Sequence, residues 1–172
     1  PEDLATTGFP MAKVQALMEG DIEGAKRLSF FVDVCRAGTI GSINDNQINV
    51  VVNNILSGPE EILGLMGSGP KEFSFESSQF GGGHGAFSYF LVNALCGKAD
   101  EDDYVGDLDG TTVVDEVVEY VRAQVRRATR RKQTPETIVR IDRDVQLSGG
   151  ASCGFELEGF RPLSLEDIAG TR

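Results

Sequence analysis

The chain has 172 residues, which predicts one domain with a hydrophobic core of its own. Its 27 acidic and 16 basic side chains give a net charge of -11, which argues against DNA, RNA or anionic lipid as partners. No stretch approaches the roughly 18 to 20 apolar residues that span a bilayer. Three cysteines without a CxxC pair fit neither a disulfide framework nor a zinc cluster. We therefore expect a cytoplasmic protein with reduced cysteines and no membrane span.

The first half of the chain predicts two helices and two strands. Apolar residues recur at helical spacing over residues 10–20 and 44–56, which predicts an amphipathic helix in each range. The short apolar runs 28–32 (LSFFV) and 61–66 (EILGLM) are typical of buried strands in a parallel sheet. The glycine-rich segment 67–85 is expected to be a polar loop with few core anchors.

The second half predicts two helices and a final strand or strand pair. Residues 85–95 are apolar nearly all round, which predicts a buried helix, and an acidic stretch follows them. Residues 114–129 carry inward-facing valines, acids in the first turn and arginines at the end, as a dipole-matched helix would. Residues 137–145 are expected to form the last strand or strands. Strands interleaved with helices predict an α/β domain over 1–148 with a mostly parallel sheet, followed by a tail over 149–172 without an assigned role.

Cys35 lies where the first apolar strand is predicted to stop. Ligands and reacting groups gather at the carboxyl ends of strands in open α/β sheets, so this position suits a nucleophile. A buried cysteine that acts as a small hydrophobic residue is the alternative interpretation, and the position alone leaves both open.

Two blocks of sequence carry a resemblance to a known family. Residues 30–38 (FFVDVCRAG) resemble the cysteine block of caspase-like peptidases, where an apolar strand runs into an Asp-x-Cys-x-small-Gly motif. Residues 80–91 (FGGGHGAFSYFL), followed by 133–135 (QTP), resemble the small-subunit half of bacterial caspase-like proteins. The matching segments occur in order over about 4–145, so the chain resembles the bacterial caspase and metacaspase-like group.

The resemblance implies a cysteine endopeptidase on a three-layer α/β/α sandwich, with a Cys/His dyad, a protein substrate and no metal or organic cofactor. Cys35 matches the nucleophile, which attacks as a thiolate and forms an acyl-enzyme, and its backbone N–H would stabilise the oxyanion. Asp33 matches the acid that lines the pocket for the residue before the cut, where a carboxylate suits arginine or lysine. The alternative for Asp33 is an acid hydrogen-bonded to backbone at a strand end.

The dyad histidine is where the sequence departs from the family. The family's histidine lies upstream of the cysteine, and no histidine precedes Cys35 here. His84 belongs to the block that matches the downstream half, where local hydrogen bonds at a helix start would explain it. The chain is therefore expected to lack the N-terminal part of its peptidase, which would supply the histidine. The alternatives are a non-catalytic interaction or scaffold module, and a hydrolase that pairs Cys35 with His84.

The acidic stretch also permits a weak calcium hypothesis. Asp107, Asp109, Gly110 and Glu116 match part of the EF-hand ligand pattern, but Val105 stands where the first ligand belongs. A solvated acidic loop that opens a helix explains the same residues, so no cofactor is expected.

Overall fold

The computed structural model describes residues 25–33, 60–69 and 72–149. The two helices expected over 10–20 and 44–56, Cys35, and the tail beyond Gly149 lie outside these ranges. The elements are, in chain order, β1 (Arg27–Val32), β2 (Glu61–Met66), β3 (Glu76–Ser77), β4 (His84–Gly85), α1 (Ala86–Asn93), β5 (Thr112–Val113), α2 (Val114–Ala128), β6 (Glu136–Arg140) and β7 (Gln146–Ser148). A π-helical segment, Ala94–Lys98, continues α1.

The largest described sheet has the order β1-β2-β6 and is mixed. Strands β1 and β2 are parallel, with Val32 opposite Met66, whereas β6 is antiparallel to β2, with Glu136 opposite Met66. The turn after α2 explains the reversal, because buried Gln133 bonds to Gly67 just beyond β2 and β6 therefore starts where β2 ends. The described part is thus a mixed α/β fold, whereas a mostly parallel sheet was expected.

Strand β1 forms where the apolar run predicted it, but it is not buried on both faces. Leu28, Phe30 and Val32 are half-buried, whereas the residues that alternate with them are exposed, including Phe31 at 39 %. In the described sheet β1 is the edge strand and β2 the inner one, and Leu63 and Leu65 of β2 are fully buried. The continuous apolar run therefore correctly predicted a strand but not the burial of both its faces.

The two helices pack against each other and enclose the main core. The inward valines of α2 are all buried as predicted: Val114, Val117, Val118, Val121 and Val125. Each such side chain contributes about 1.5–3 kcal/mol relative to an exposed one. Helix α1 buries Ala86, Phe87, Phe90 and Leu91 but leaves Val92 44 % exposed, so it is buried on one face and not all round. Neither helix is long and apolar enough to cross a membrane.

The segment 67–85 has more structure than the glycine-rich composition predicted. Phe75 and Phe80 are buried in the core, and Phe80 contacts the rings of Tyr89 and Phe90 with centroids 5.8 and 6.0 Å away. Strands β3 and β4 close this segment as a short hairpin, and Gly81–Gly83 turn it with positive φ values that favour glycine. The few core anchors expected of this segment are therefore Phe75 and Phe80.

Candidate functional site at the end of β1

Asp33, which directly follows β1, bonds to the first turn of α1. The Ser88 hydroxyl donates to Asp33 Oδ2 at 2.6 Å, and the Ser88 backbone N–H donates to the same oxygen at 3.3 Å. The cap residue of α1 is Gly85, which has no side chain to satisfy the free N–H groups of the first turn. Asp33 therefore caps this helix from another element, and the positive end of the helix dipole favours its charge.

Two glycines leave room for the Asp33 carboxylate. A Cβ on Gly85 would lie 2.5 Å from Oδ2, and a Cβ on Gly67 would lie 2.9 Å from Oδ1, both closer than real Cβ contacts. The Gly67 N–H also donates to the Val32 carbonyl at 2.8 Å, which carries the pairing of β1 and β2 one residue past β2. The ends of two parallel strands and the start of one helix thus converge on a single side chain.

Gln133 fixes the β2 side of this junction from behind. Its side chain is fully buried, and its Nε2 donates to the Gly67 carbonyl at 2.8 Å. Its Oε1 accepts the Phe75 N–H, also at 2.8 Å. The sequence placed Gln133 in a matching block but gave no sign that the amide is buried and links two loops. Ser88 was missed in the same way, since a single serine on a helix has no sequence signal for a partner 55 residues away.

The Oδ1 oxygen of Asp33 has no hydrogen-bond donor among the described residues. The residue itself is exposed. A carboxylate held by two donors on one oxygen can still accept from a guanidinium or ammonium group on the other. The bond to the Ser88 amide agrees with the alternative interpretation of Asp33, a strand-end acid bonded to backbone, while the free oxygen leaves a binding role open.

His84 lies one residue before the glycine that contacts Asp33. It is exposed on β4, its backbone N–H donates to the Phe80 carbonyl at 2.9 Å, and its ring lies close over Gly81. The ring makes no hydrogen bond to any described residue, so local hydrogen bonds satisfy its backbone and not its imidazole. The hypothesis of a Cys35–His84 pair stays a prediction because Cys35 lies outside the described ranges.

The acidic loop is a hydrogen-bonded turn. Carboxylate oxygens of Asp100, Asp107 and Asp109 lie within 4.8 Å of one another. Asp100 is buried, which a solvated loop did not predict, and it accepts the N–H groups of Asp109 at 3.1 Å and Gly110 at 3.2 Å. The Asp100 carboxylate therefore has a structural role, since its two oxygens accept backbone N–H groups of the loop.

Glu116 closes the same loop as the cap of α2. Its Oε2 accepts the Val113 N–H at 3.0 Å, so the residue that matched the last EF-hand ligand satisfies a helix terminus. Burial raises the pKa of Glu116, and the negative charges of Asp100 and Asp107 raise this pKa further, against the lowering effect of the bond to Val113.

Cys96 is disulfide-bonded, and its partner lies outside the described residues. This differs from the expectation of three reduced cysteines. The sparse spacing did not reveal the bond because cysteines that pair in a fold need not be close in sequence.

No protein-family model, no curated protein and no solved structure matches this chain.

Proposed function

We propose that this chain is part of a caspase-like cysteine endopeptidase that cleaves proteins after arginine or lysine. The observation that supports it most is the position of Asp33. Its carboxylate is exposed at the carboxyl end of a parallel strand and is held by Ser88 through Oδ2, and no described residue donates to its Oδ1. Cys35 follows two residues later, so covalent geometry keeps the two Cα atoms within about 7 Å.

The proposed reaction uses the Cys35 thiolate as the nucleophile. A histidine takes the thiol proton, the sulfur attacks the scissile carbonyl, and the backbone N–H of Cys35 stabilises the oxyanion. The histidine then donates that proton to the leaving amine, and water hydrolyses the resulting thioester. In this proposal the histidine comes from an N-terminal segment of the same protein or gene, and no metal or organic cofactor takes part.

Asp33 would select the residue before the cut by charge. The free carboxylate oxygen matches a guanidinium or ammonium group, whereas an aspartate in the same pocket would meet a like charge. The two bonds from Ser88 would hold the carboxylate in one orientation, so a basic substrate group would not have to order it on binding.

The reaction requires Cys35 as a free thiol. The identity of the cysteine bonded to Cys96 therefore tests the proposal. Only Cys35 and Cys153 can be its partner within the chain, so the proposal requires Cys153. Mass spectrometric mapping of the unreduced protein is expected to find the peptide that joins Cys96 to Cys153. A Cys35–Cys96 peptide would instead contradict the role of Cys35 as the resting nucleophile.

The peptidase proposal itself is tested on the full-length protein with peptide reporters that end in arginine or aspartate. Wild type is expected to cleave the arginine reporter, and Cys35→Ala is expected to lower the rate by about a thousandfold or more. Ser29→Ala, a matched small change at an exposed position of β1, is expected to leave the rate unchanged. Equal rates for wild type and Cys35→Ala would overturn the proposal. A folded wild type that cleaves neither reporter would favour the non-catalytic scaffold module.

A further inference from the structure

The end of α2 concentrates positive charge in a strongly acidic protein. Residues 122–132 hold six of the sixteen lysines and arginines and no acid, although the net charge of the chain is -11. We call these six residues the basic turn: Arg122, Arg126, Arg127, Arg130, Arg131 and Lys132. All are exposed except Arg126, which is half-buried.

None of these six cations has an ionic partner among the described residues. Ion pairs in those ranges join Arg27 to Glu61, Lys98 to Glu101, and Arg143 to Asp115. The Nε donor of Arg126 is buried and has no acceptor in the part of the chain that the structure describes. The last turn of α2 holds only Arg126 and Arg127, so matching the helix dipole does not account for the other four cations.

The backbone of the basic turn is strained at the residues that carry its charges. Arg130 and Arg131 have φ values of 51° and 62°, in the left-handed region where glycine is the usual residue after a helix. The sequence thus places two arginines where glycine would relieve strain. Strain of this kind is common where a side chain has a function.

Residues 130–132 of the basic turn are also held at both ends. Thr129 and Gln133 are fully buried, and the Thr129 hydroxyl donates to the Val125 carbonyl at 2.8 Å. The Gln133 N–H donates to the same hydroxyl at 3.1 Å, which closes the loop around the three exposed cations. A partner would meet a preformed cationic surface, and little backbone entropy would be lost on binding.

We propose that the basic turn is a docking surface for an acidic segment of another polypeptide. Carboxylates complement its charge and supply the acceptors that its guanidinium groups lack. A polypeptide fits better than a nucleic acid, because the chain carries a net charge of -11 and the Gln124 side chain, within the range of the basic turn, donates to acidic Asp102 at 3.4 Å. These negative charges would repel a long polyphosphate more than a short acidic segment. This inference does not depend on the proposed peptidase activity.

The test measures binding of a fluorescent peptide of five Glu-Gly repeats to the full-length protein by anisotropy. Wild type is expected to bind it with an affinity that falls as salt rises, and not to bind the matched Gln-Gly peptide. Arg130→Gln combined with Arg131→Gln is expected to weaken binding about five- to tenfold. Arg130→Lys combined with Arg131→Lys keeps both charges and is expected to retain most of the affinity.

A matched control separates the site from net charge. Lys26→Gln combined with Arg27→Gln removes two adjacent exposed cations elsewhere and is expected to leave the affinity within about twofold of wild type. Equal loss in this control and in the Arg130/Arg131 pair would overturn the proposal, as would no binding by wild type. Tighter binding of a short DNA duplex than of the Glu-Gly peptide would also overturn it.

Discussion

The Asp33 junction, where the ends of β1 and β2 meet the start of α1, differs from the basic turn in how its charge is hydrogen-bonded. At the junction one carboxylate is held by the hydroxyl and the amide of Ser88, and two glycines leave it space. In the basic turn six cations lie within a stretch of sequence, 122–132, that contains no acid, and two of them occupy strained backbone. The same buried Gln133 bonds to both regions, so the two regions do not differ in how well their backbones are anchored.

The comparison distinguishes a site that orients one substrate side chain from a surface that binds a longer acidic segment. Ser88 fixes the orientation of the Asp33 carboxylate by donating to one of its oxygens. The other oxygen can then accept a hydrogen bond from a single substrate side chain. Several like charges without partners suit a longer segment of opposite charge, which could bind in more than one register. Variants that add a methyl group, remove a hydroxyl or relieve strain should therefore affect the two regions differently.

The largest effect on stability is expected from Gly85→Ala. The new Cβ would lie 2.5 Å from Asp33 Oδ2, so the carboxylate must leave its place and lose both bonds from Ser88. We expect a loss of about 1–3 kcal/mol in the free energy of unfolding, measured by denaturant titration. Gly69→Ala is the control, since its nearest contact would be an ordinary 3.4 Å. Equal stability of the two variants would show that the carboxylate is not confined.

Ser88→Ala removes the hydroxyl bond and leaves the amide bond to Asp33. We expect a loss of about 0.5–1.5 kcal/mol, smaller than for Gly85→Ala because the site is partly exposed. Ser88→Thr keeps a hydroxyl at the same place and is expected to recover part of this loss. A Ser88→Ala protein as stable as wild type would mean that the 2.6 Å bond contributes nothing to the junction.

Arg131→Gly is expected to act in the opposite direction. Glycine adopts a φ of 62° without strain, so the variant should gain about 0.5–1 kcal/mol in stability while it weakens binding of the acidic peptide. Arg127→Gly, in the last turn of regular α2, should instead lose up to about 1 kcal/mol. Destabilisation by both changes would contradict the description of a strained turn.

The smallest effect is expected from Glu116→Gln and depends on pH. Burial raises the folded-state pKa of Glu116, so the unfolded chain releases this proton first as pH rises. Stability contributed by the raised pKa is present below the ordinary glutamate value of about 4.3 and is lost above the folded-state pKa. The variant should therefore melt at a higher temperature, relative to wild type, at pH 7 than at pH 4. Glu119→Gln, exposed on the same helix, is the control, and an equal Tm difference at both pH values would contradict the prediction.

The sequence predicted elements whose signal is local. Helix α2 and its buried valines followed from spacing within one segment, and β1 and β2 followed from short apolar runs. The burial of β1 was wrong because burial depends on what covers a strand, which the strand's own residues do not specify. The direction of β6 was unknown for the same reason, since a buried glutamine on a distant turn sets where the strand begins.

The candidate site was predicted in part. The motif around Cys35 named Asp33, but the pattern did not show that Ser88 holds it or that Gly67 and Gly85 make room for it. These contacts join segments more than 30 residues apart, and each side of the contact looks ordinary in sequence. The positive φ values of Arg130 and Arg131 were also unpredictable, because arginine has no preference for that conformation.

The central claim is that the Asp33 carboxylate binds the basic residue before the cut, in a peptidase whose nucleophile is Cys35. The direct measurement compares kcat/KM of the full-length protein for two reporters that differ only in ending with arginine or uncharged citrulline. Wild type is expected to prefer arginine, and Asp33→Asn, which can still accept the bonds from Ser88, is expected to reduce that preference about 10- to 100-fold. An unchanged preference in Asp33→Asn would contradict the claim.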